Sequence, residues 1–405
     1  MNRWSMKLSR LGLALIVALT LVLPACQPTG SRVVRVYLSF PMRGPNIGRG
    51  IVRGIELAFD SMGSRIGSTE IELVVRDDGD ANGQWQPQME LENVQLAITD
   101  TLAVAYLGPM NSGAAKLSLP LTNRAGMIQI SPSTTWPGLT RPGFAQGEPA
   151  IFYPTGRRNF FRTCSTDDVQ GPAAAVWARD LKFRSFYVLD DGEAYGAGVS
   201  ALFARRAEQL GLKNVGRQTI DKTALDFTDV LTQVKQARPD VVYFGGTVAN
   251  GAALIVEQMR EMGITAAFMG PDAIVDTTLI DKAQGAAEGV YATFVGAPPA
   301  QLTSEMGQKF YADFKAKYNE EPEAFAQLGY DAAQVLITAM QTSAQHGSVI
   351  DRAGILAYVT SAAGFDGTVG PFGFDRNGDT TVTLVSGSRV RNGLFEFEKL
   401  LIDRQ

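Results

Sequence analysis

Short apolar runs alternate with longer segments of helical period through most of the chain, and this alternation constrains the fold more than any other feature. The runs are VVRVYL (33–38), IELVV (71–75), AVAYL (103–107), MIQI (127–130), FYVL (186–189), VVYF (241–244) and AAFM (266–269). They are short, β-branched or aromatic, and end in Gly, Pro, Ser or Asp, as buried parallel strands do. Between them Ile51, Ile55, Ala58 and Phe59 recur at helical spacing, as do Val199, Leu202, Phe203 and Leu210, and again Phe227, Val230, Leu231 and Val234. Pro172, followed by AAAVWA, marks an expected helix start, and further helices are expected over 302–318 and 326–341. A βαβα order of this kind predicts an α/β fold with parallel sheets covered by helices on both faces. The 405 residues are more than one doubly wound core holds comfortably, so two lobes are expected. The Gly/Pro-rich stretch 136–157 closes a first βα series, and a second opens near residue 160. Close to the C-terminus, VTLVSGSRVRNGLFEFEKL reads as two strands turned at Asn392-Gly393.

The first 25 residues read as an address rather than as part of the fold. Arg3, Lys7 and Arg10 precede an apolar run from Leu11 to Leu23, and the small Ala25 precedes Cys26. A charged start, a short apolar middle and a small-residue end make a signal peptide, and the run is short for a bilayer, which needs about 20 residues. LVLPAC resembles a bacterial lipobox, which implies a diacylated Cys26 at the mature N-terminus, with residues 26–32 as a lipidated tether. The expected location is extracytoplasmic, with the membrane reached through the lipid alone. Loss of residues 1–25 removes three bases and no acid, which takes the net charge from −4 to about −7 and disfavours nucleic acid as a partner. One His and two Cys exclude HExxH proteases, zinc fingers and His-rich metal sites. With Cys26 acylated, Cys164 has no partner and is expected to be a free, buried thiol.

Ligands of open α/β sheets bind beyond the carboxyl ends of the strands, so the segments that follow each run carry the functional information. They are FPMRGPNIG (40–48), GPMNSG (108–113), SPSTTWP (131–137), DDGEAYG (190–196), GGT (245–247) and GPD (270–272). Ser and Thr hydroxyls with helix-start amides can hold a carboxylate without a cation, and aspartates facing them can hold an ammonium. Such a set suits a small zwitterion better than a phosphate. The chain has no GxSxG elbow, no GxxxxGK[ST] loop and no GxGxxG. GRGIVRG (48–54) has the wrong spacing for the last of these and is expected to pack a helix start closely. His346 is expected to face solvent. The pairs Asp77-Asp78, Asp167-Asp168 and Asp190-Asp191 are read as turn formers rather than acid/base pairs. Asp375, Asn377 and Asp379 echo the start of a calcium loop, but the rest of that loop is missing and a turn is expected.

Taken together, RGPNIGRGIVRGIELAFD (43–60), GPMNSG (108–113), AGMIQISPSTTWPGLT (125–140), FRTCSTDDVQGPAAAVWA (162–178), VLDDGEAYGAG (188–198), FMGPDA (268–273) and GTVGPFGFDRNGD (367–379) resemble the leucine/isoleucine/valine-binding proteins, the substrate-binding subunits of branched-chain amino acid ABC transporters. The resemblance implies a type I periplasmic-binding fold: two Rossmann-like lobes with parallel-sheet cores joined by a three-crossing hinge. The crossings should fall near 162–166, 292–297 and 370–374, giving an N-terminal lobe of 33–163 with 297–371 and a C-terminal lobe of 164–296 with 372–405. It further implies that Ser112, Ser133 and Thr135 hold a ligand α-carboxylate, that Asp167 and Asp272 meet its α-ammonium, and that Tyr195 closes over it. Departures from the family pattern bear on specificity. Ile47 and Thr247 stand where aromatic residues are common, Asp272 stands for a Glu, Asn111 replaces a cysteine of the family's disulfide, and 147–163 is longer and more aromatic than usual. The function implied is capture of an amino acid or related zwitterion by lobe closure and delivery to an ABC permease, with no enzymatic step, cofactor or metal. A larger or more polar amino acid, an amide or a urea-like compound remains open as ligand, as do a sensor of the same fold without a transporter and a secreted hydrolase.

Overall fold

Each of the seven apolar runs forms a strand, and the strands gather into two sheets. The computed structural model describes residues 32–345 and 349–401, so the expected signal peptide, Cys26, the tether up to residue 31 and His346 lie outside the described residues. The first sheet holds β1 (Arg32–Phe40), β2 (Arg65–Ile66), β3 (Thr69–Asp77), β4 (Ala103–Leu107), β5 (Ile128–Ser131) and β6 (Phe160–Arg162), in the order β2-β3-β1-β4-β5-β6. All its neighbours are parallel except the short β2 against β3. The second holds β7 (Ser185–Asp190), β8 (Lys213–Thr219), β9 (Val241–Gly245), β10 (Ala267–Gly270), β11 (Tyr291–Phe294), β12 (Val385–Arg391) and β13 (Leu394–Leu401), in the order β13-β12-β11-β10-β9-β7-β8. Its last two strands are the expected antiparallel hairpin. Asn392 and Gly393 turn it with φ of 51° and 75°, the double positive φ of a type I′ turn.

Helices cover both sheets, as the α/β reading requires. In the first lobe these are α1 (Ile47–Ser61), α2 (Pro87–Thr99), α3 (Ser112–Arg124) and, late in the chain, α9 (Glu305–Tyr318), α10 (Ala326–Gln345) and α11 (Arg352–Ser361). The second lobe has α4 (Asp167–Asp180), α5 (Ala194–Gln209), α6 (Thr228–Ala237), α7 (Ala252–Glu261) and α8 (Thr277–Ala283). The glycines of GRGIVRG let α1 lie directly on α10, since a Cβ on Gly54 would stand 1.9 Å from the Ala326 carbonyl oxygen. Pro172 does not start a helix. It lies inside α4, which begins five residues earlier with Asp167 and Asp168 in its first turn, where acids complement the helix dipole. No helix among the described residues is long and apolar enough to cross a membrane.

The chain passes between the two cores three times. Phe161 and Cys164 pack in the first core and Ala173 onward in the second; Ala292 belongs to the second and Phe294 to the first. Before the third passage Phe372, Phe374, Val382 and Leu384 still pack on the first core, and Val385 enters the second, so the chain crosses about ten residues later than 370–374. Cys164 is a free buried thiol, as expected.

A buried ion pair ties the first of these passages to the third. Arg162, with no exposed surface, gives Nε to Asp379 Oδ1 at 2.7 Å, Nη1 to the carbonyls of Thr134 (2.9 Å) and Trp136 (2.8 Å), and Nη2 to Thr140 Oγ1 at 2.5 Å. The FDRNGD segment is therefore a turn, capped by Asp375 Oδ1 accepting from the amides of Asn377 and Asp379, and it delivers Asp379 to Arg162. Although burial opposes it, the Arg162 charge holds the Asp379 carboxyl below the usual carboxylate range. A carboxyl with a lowered folded pKa stabilises the fold at neutral pH, and that contribution is lost as pH falls below about 4. Asp379→Ala leaves the guanidinium buried without its partner, and urea unfolding at pH 7 is expected to show a loss of about 3–5 kcal/mol.

Candidate ligand site

The carboxyl ends of the two sheets face each other, and the segments singled out after the strands meet in the cleft between them. After β4 the chain enters α3 with Ser112 as its first residue. Ser112 Oγ accepts the Trp136 amide at 3.2 Å. After β5, Ser131 Oγ donates to the Pro109 carbonyl (2.7 Å) and accepts the amides of Ser133 (3.2 Å) and Thr134 (3.0 Å), fastening the S-P-S-T-T segment to the loop beside it. Ser133 Oγ donates to the Met110 carbonyl at 3.3 Å. Thr135 Oγ1 is buried and has no hydrogen-bond partner.

Acids approach from the other lobe. Asp167, the first residue of α4, has no exposed surface, and neither of its carboxylate oxygens has a partner. Asp272, just after β10, is 2% exposed; its Oδ1 accepts from the Tyr195 hydroxyl, which in turn accepts the Ala273 amide at 3.3 Å. Burial pushes the Asp272 carboxyl up to about 6. Burial, and then the negative charge of Asp272, push Asp167 well above its ordinary value. Neither acid is in an ion pair with a described residue, because the nearby Arg162 is held by Asp379. Two buried carboxylates near each other without a cation are suited to receive one from a ligand.

Ser112, Ser133, Tyr195 and Asp272 line a narrow inner compartment together with Phe325. Ile47 and Thr247 line an adjoining outer compartment of about 390 Å³, counting the part that opens to solvent. Met110, Asn111 and Ala273 belong to both. Thr135 and Asp167 stand apart from these six, fully buried and on neither wall. The aspartate pairs expected to be turn formers divide: Asp168 pairs with Arg141 (2.7 Å) and Asp190 with Arg217 (2.8 Å), and Asp191 accepts from Asn250 Nδ2 at 2.7 Å.

Sequence reasoning missed Trp85 and Phe325. The two rings line the outer and inner compartments, so the walls are less bare than Ile47 and Thr247 suggest. Phe325 has φ of +70°, a left-handed backbone that no local pattern announces, and packs edge-on to Phe294 at 4.9 Å. Trp85 follows an apolar-poor loop (DGDANGQ) with no periodic signal. The long 147–163 stretch also has a role: Glu148 accepts from Trp136 Nε1 at 2.8 Å and pairs with Lys116 at 2.7 Å, while Phe152, Tyr153 and Phe160 form a small core around Trp136.

Contacts across the cleft hold the lobes shut. Gln84 Nε2 donates to the carbonyls of Lys222 and Ala249, both at 3.1 Å. Asp276 Oδ2 accepts the amides of Asn46 (2.6 Å) and Ile47 (3.0 Å). The Trp136 ring lies on Gly198, where a Cβ would stand 2.3 Å from it.

Two α/β lobes joined by three passages, with hydroxyls and acids meeting in a closed cleft, define a bilobal solute-binding protein. The chain belongs to the periplasmic binding protein family, whose sequence profile matches residues 34–393. A Leu/Ile/Val-binding protein homolog of Brucella suis is 28% identical over 354 residues, covering 85% of this chain and 87% of that protein. The crystal structure of a leucine binding protein from Thermotoga maritima superposes with a TM-score of 0.79 at 27% identity, covering 91% of this chain and 99% of that one. A solute binding protein from R. palustris in complex with benzoate shares the fold with a TM-score of 0.77 at 23% identity, covering 91% and 96% of the two chains.

Because the fold raises the Asp272 carboxyl to about 6, the folded state holds its proton more tightly than the unfolded chain, and stability falls as pH rises from about 4 through 6. Asp272→Asn removes that penalty. Without ligand, the variant is expected to be about 1–3 kcal/mol more stable than the parent at pH 8, with the gap closing near pH 4, as read from urea midpoints.

Proposed function

We propose that the protein is the extracytoplasmic solute-binding subunit of an ABC importer, and that it captures a free α-amino acid by lobe closure and hands it to a membrane permease. The observation that carries this reading is the pairing of two buried, uncompensated acids, Asp167 and Asp272, with a bank of hydroxyls on the opposite lobe. Ser112, Ser133 and the amides at the start of α3 would take the carboxylate, with Thr135 behind them. Asp272, with Asp167 behind it, would take the ammonium, and Tyr195 would orient Asp272. As the lobes close, water leaves and these charge-assisted bonds strengthen in the lower dielectric. The ligand favours closure only through contacts made better in the closed state.

The related proteins support an amino acid by name, whereas the R. palustris neighbour is described with benzoate. An aromatic carboxylate would satisfy the hydroxyl side and leave the two acids without a counter-charge, so the acid pair favours a ligand with an ammonium group. The lipobox-like LVLPAC supports attachment through a diacylated Cys26. In cells fed labelled palmitate, the parent protein should carry label, and Cys26→Ser should lose it.

Isothermal calorimetry with free amino acids and their deaminated counterparts tests the ligand class. Amino acids are expected to bind and the deaminated acids to fail. Asp272→Ala should weaken binding of a free amino acid by about 2–5 kcal/mol, because the bound ammonium loses its partner. Binding of the deaminated acids with equal affinity would overturn the assignment.

A further inference from the structure

The start of α1 lacks a cap of its own. α1 begins at Ile47, and Asn46, at the N-cap position, makes no side-chain bond to the helix start. The cap comes instead from the other lobe, where Asp276 Oδ2 accepts the amides of Asn46 at 2.6 Å and Ile47 at 3.0 Å. The second oxygen of the same carboxylate, Oδ1, accepts the Thr278 amide at 2.7 Å and so caps α8, the helix that Asp276 itself precedes. Asn46 Nδ2 adds a bond to Thr277 Oγ1 at 2.9 Å. One buried acid therefore serves two helix starts that belong to different lobes.

The first amides of a helix form the positive end of its dipole. Two such ends brought face to face repel, and a carboxylate held between them reverses the sign of the interaction. When the lobes part, α1 loses its cap and Asp276 Oδ2 returns to water. Asp276 is also tied to the cleft wall. Asp272, which lines the inner compartment, opens a 3₁₀ turn over Asp272–Ile274. The Val275 amide donates to the Asp272 carbonyl at 3.0 Å, and the Asp276 amide to the Ile274 carbonyl at 2.9 Å. The cleft acid and the capping acid thus sit on one tightly bonded segment, although Asp276 lines neither compartment.

We propose that Asp276 is a remote determinant of affinity: by capping a helix of each lobe at once it favours the closed form, and so slows the escape of a solute it does not touch. It acts in this way on any solute, amino acid or not, because only closure is involved.

Asp276→Asn separates the two caps. A side-chain amide has one acceptor oxygen where the carboxylate has two, so it caps α8 or α1 but not both, and asparagine matches aspartate as an N-cap. Small-angle scattering of the parent and Asp276→Asn, alone and with each of the proteinogenic amino acids, is the test, with dissociation rates measured for those that bind. The parent is expected to be the more compact protein, alone or with a bound amino acid. The variant should release every bound amino acid about fivefold faster or more, with the order of affinities unchanged. Asn46→Ala, which removes the bond to Thr277, should act in the same direction to a smaller degree, and it decides the matter if Asp276→Asn fails to fold. Identical scattering and release rates in the parent and the variants would overturn the latch and leave the amino-acid reading standing. A loss confined to particular amino acids would also overturn it, because the effect would then lie in the pocket. If no amino acid binds, the amino-acid reading falls and scattering of the proteins alone decides: a parent no more compact than the variants would overturn the latch as well.

Discussion

The site rests on one buried guanidinium. Arg162 belongs to the edge strand of the first sheet, yet its nitrogens reach the Thr134 and Trp136 carbonyls on the hydroxyl-bearing segment and the Asp379 carboxylate on the last passage between lobes. An arginine fixes a plane of donors, so these three pieces of chain are held in one orientation rather than merely near each other. Removing water from such an ion is costly, and the arrangement is tolerable because the carbonyls and Thr140 take up its remaining donors. With the segment pinned from behind, the Ser133 hydroxyl is held in place on the cleft wall with Thr135 buried behind it, and preorganisation of this sort reduces the cost of binding.

The second constraint is an electrostatic liability that the fold keeps. Asp167 and Asp272 are buried near each other, and the local cation is already engaged by Asp379. A chain selected for stability alone would place amides or apolar groups there. Retaining two acids makes the empty site uncomfortable and the filled site comfortable, provided the occupant brings a positive charge. On the amino-acid reading proposed above, the same repulsion that weakens the empty protein would discriminate against solutes that lack an ammonium.

Most of the α/β order could be read from the chain because parallel strands buried on both faces leave dense apolar runs. All seven such runs became strands. β8 escaped because it is an edge strand: KNVGRQT is half exposed, so nothing requires it to be apolar. The start of α4 was misplaced because Pro172 looks like a first-turn residue, while the acids that occupy the first turn, Asp167 and Asp168, also read as loop. In the site, residues at strand ends were legible because topology gathers them there. Trp85 and Phe325 were not, since each reaches the cleft from a loop whose path is set by tertiary contacts: a glycine lock in one case, a left-handed backbone in the other.

The Gln84 bridge has a consequence for how this protein can change over time. Its amide grips main-chain carbonyls at positions 222 and 249 and not the side chains those positions bear. Substitutions at either place leave both bonds available, so the facing surface of the second lobe is free to drift, and to be reshaped for a different docking partner, without loosening the clasp.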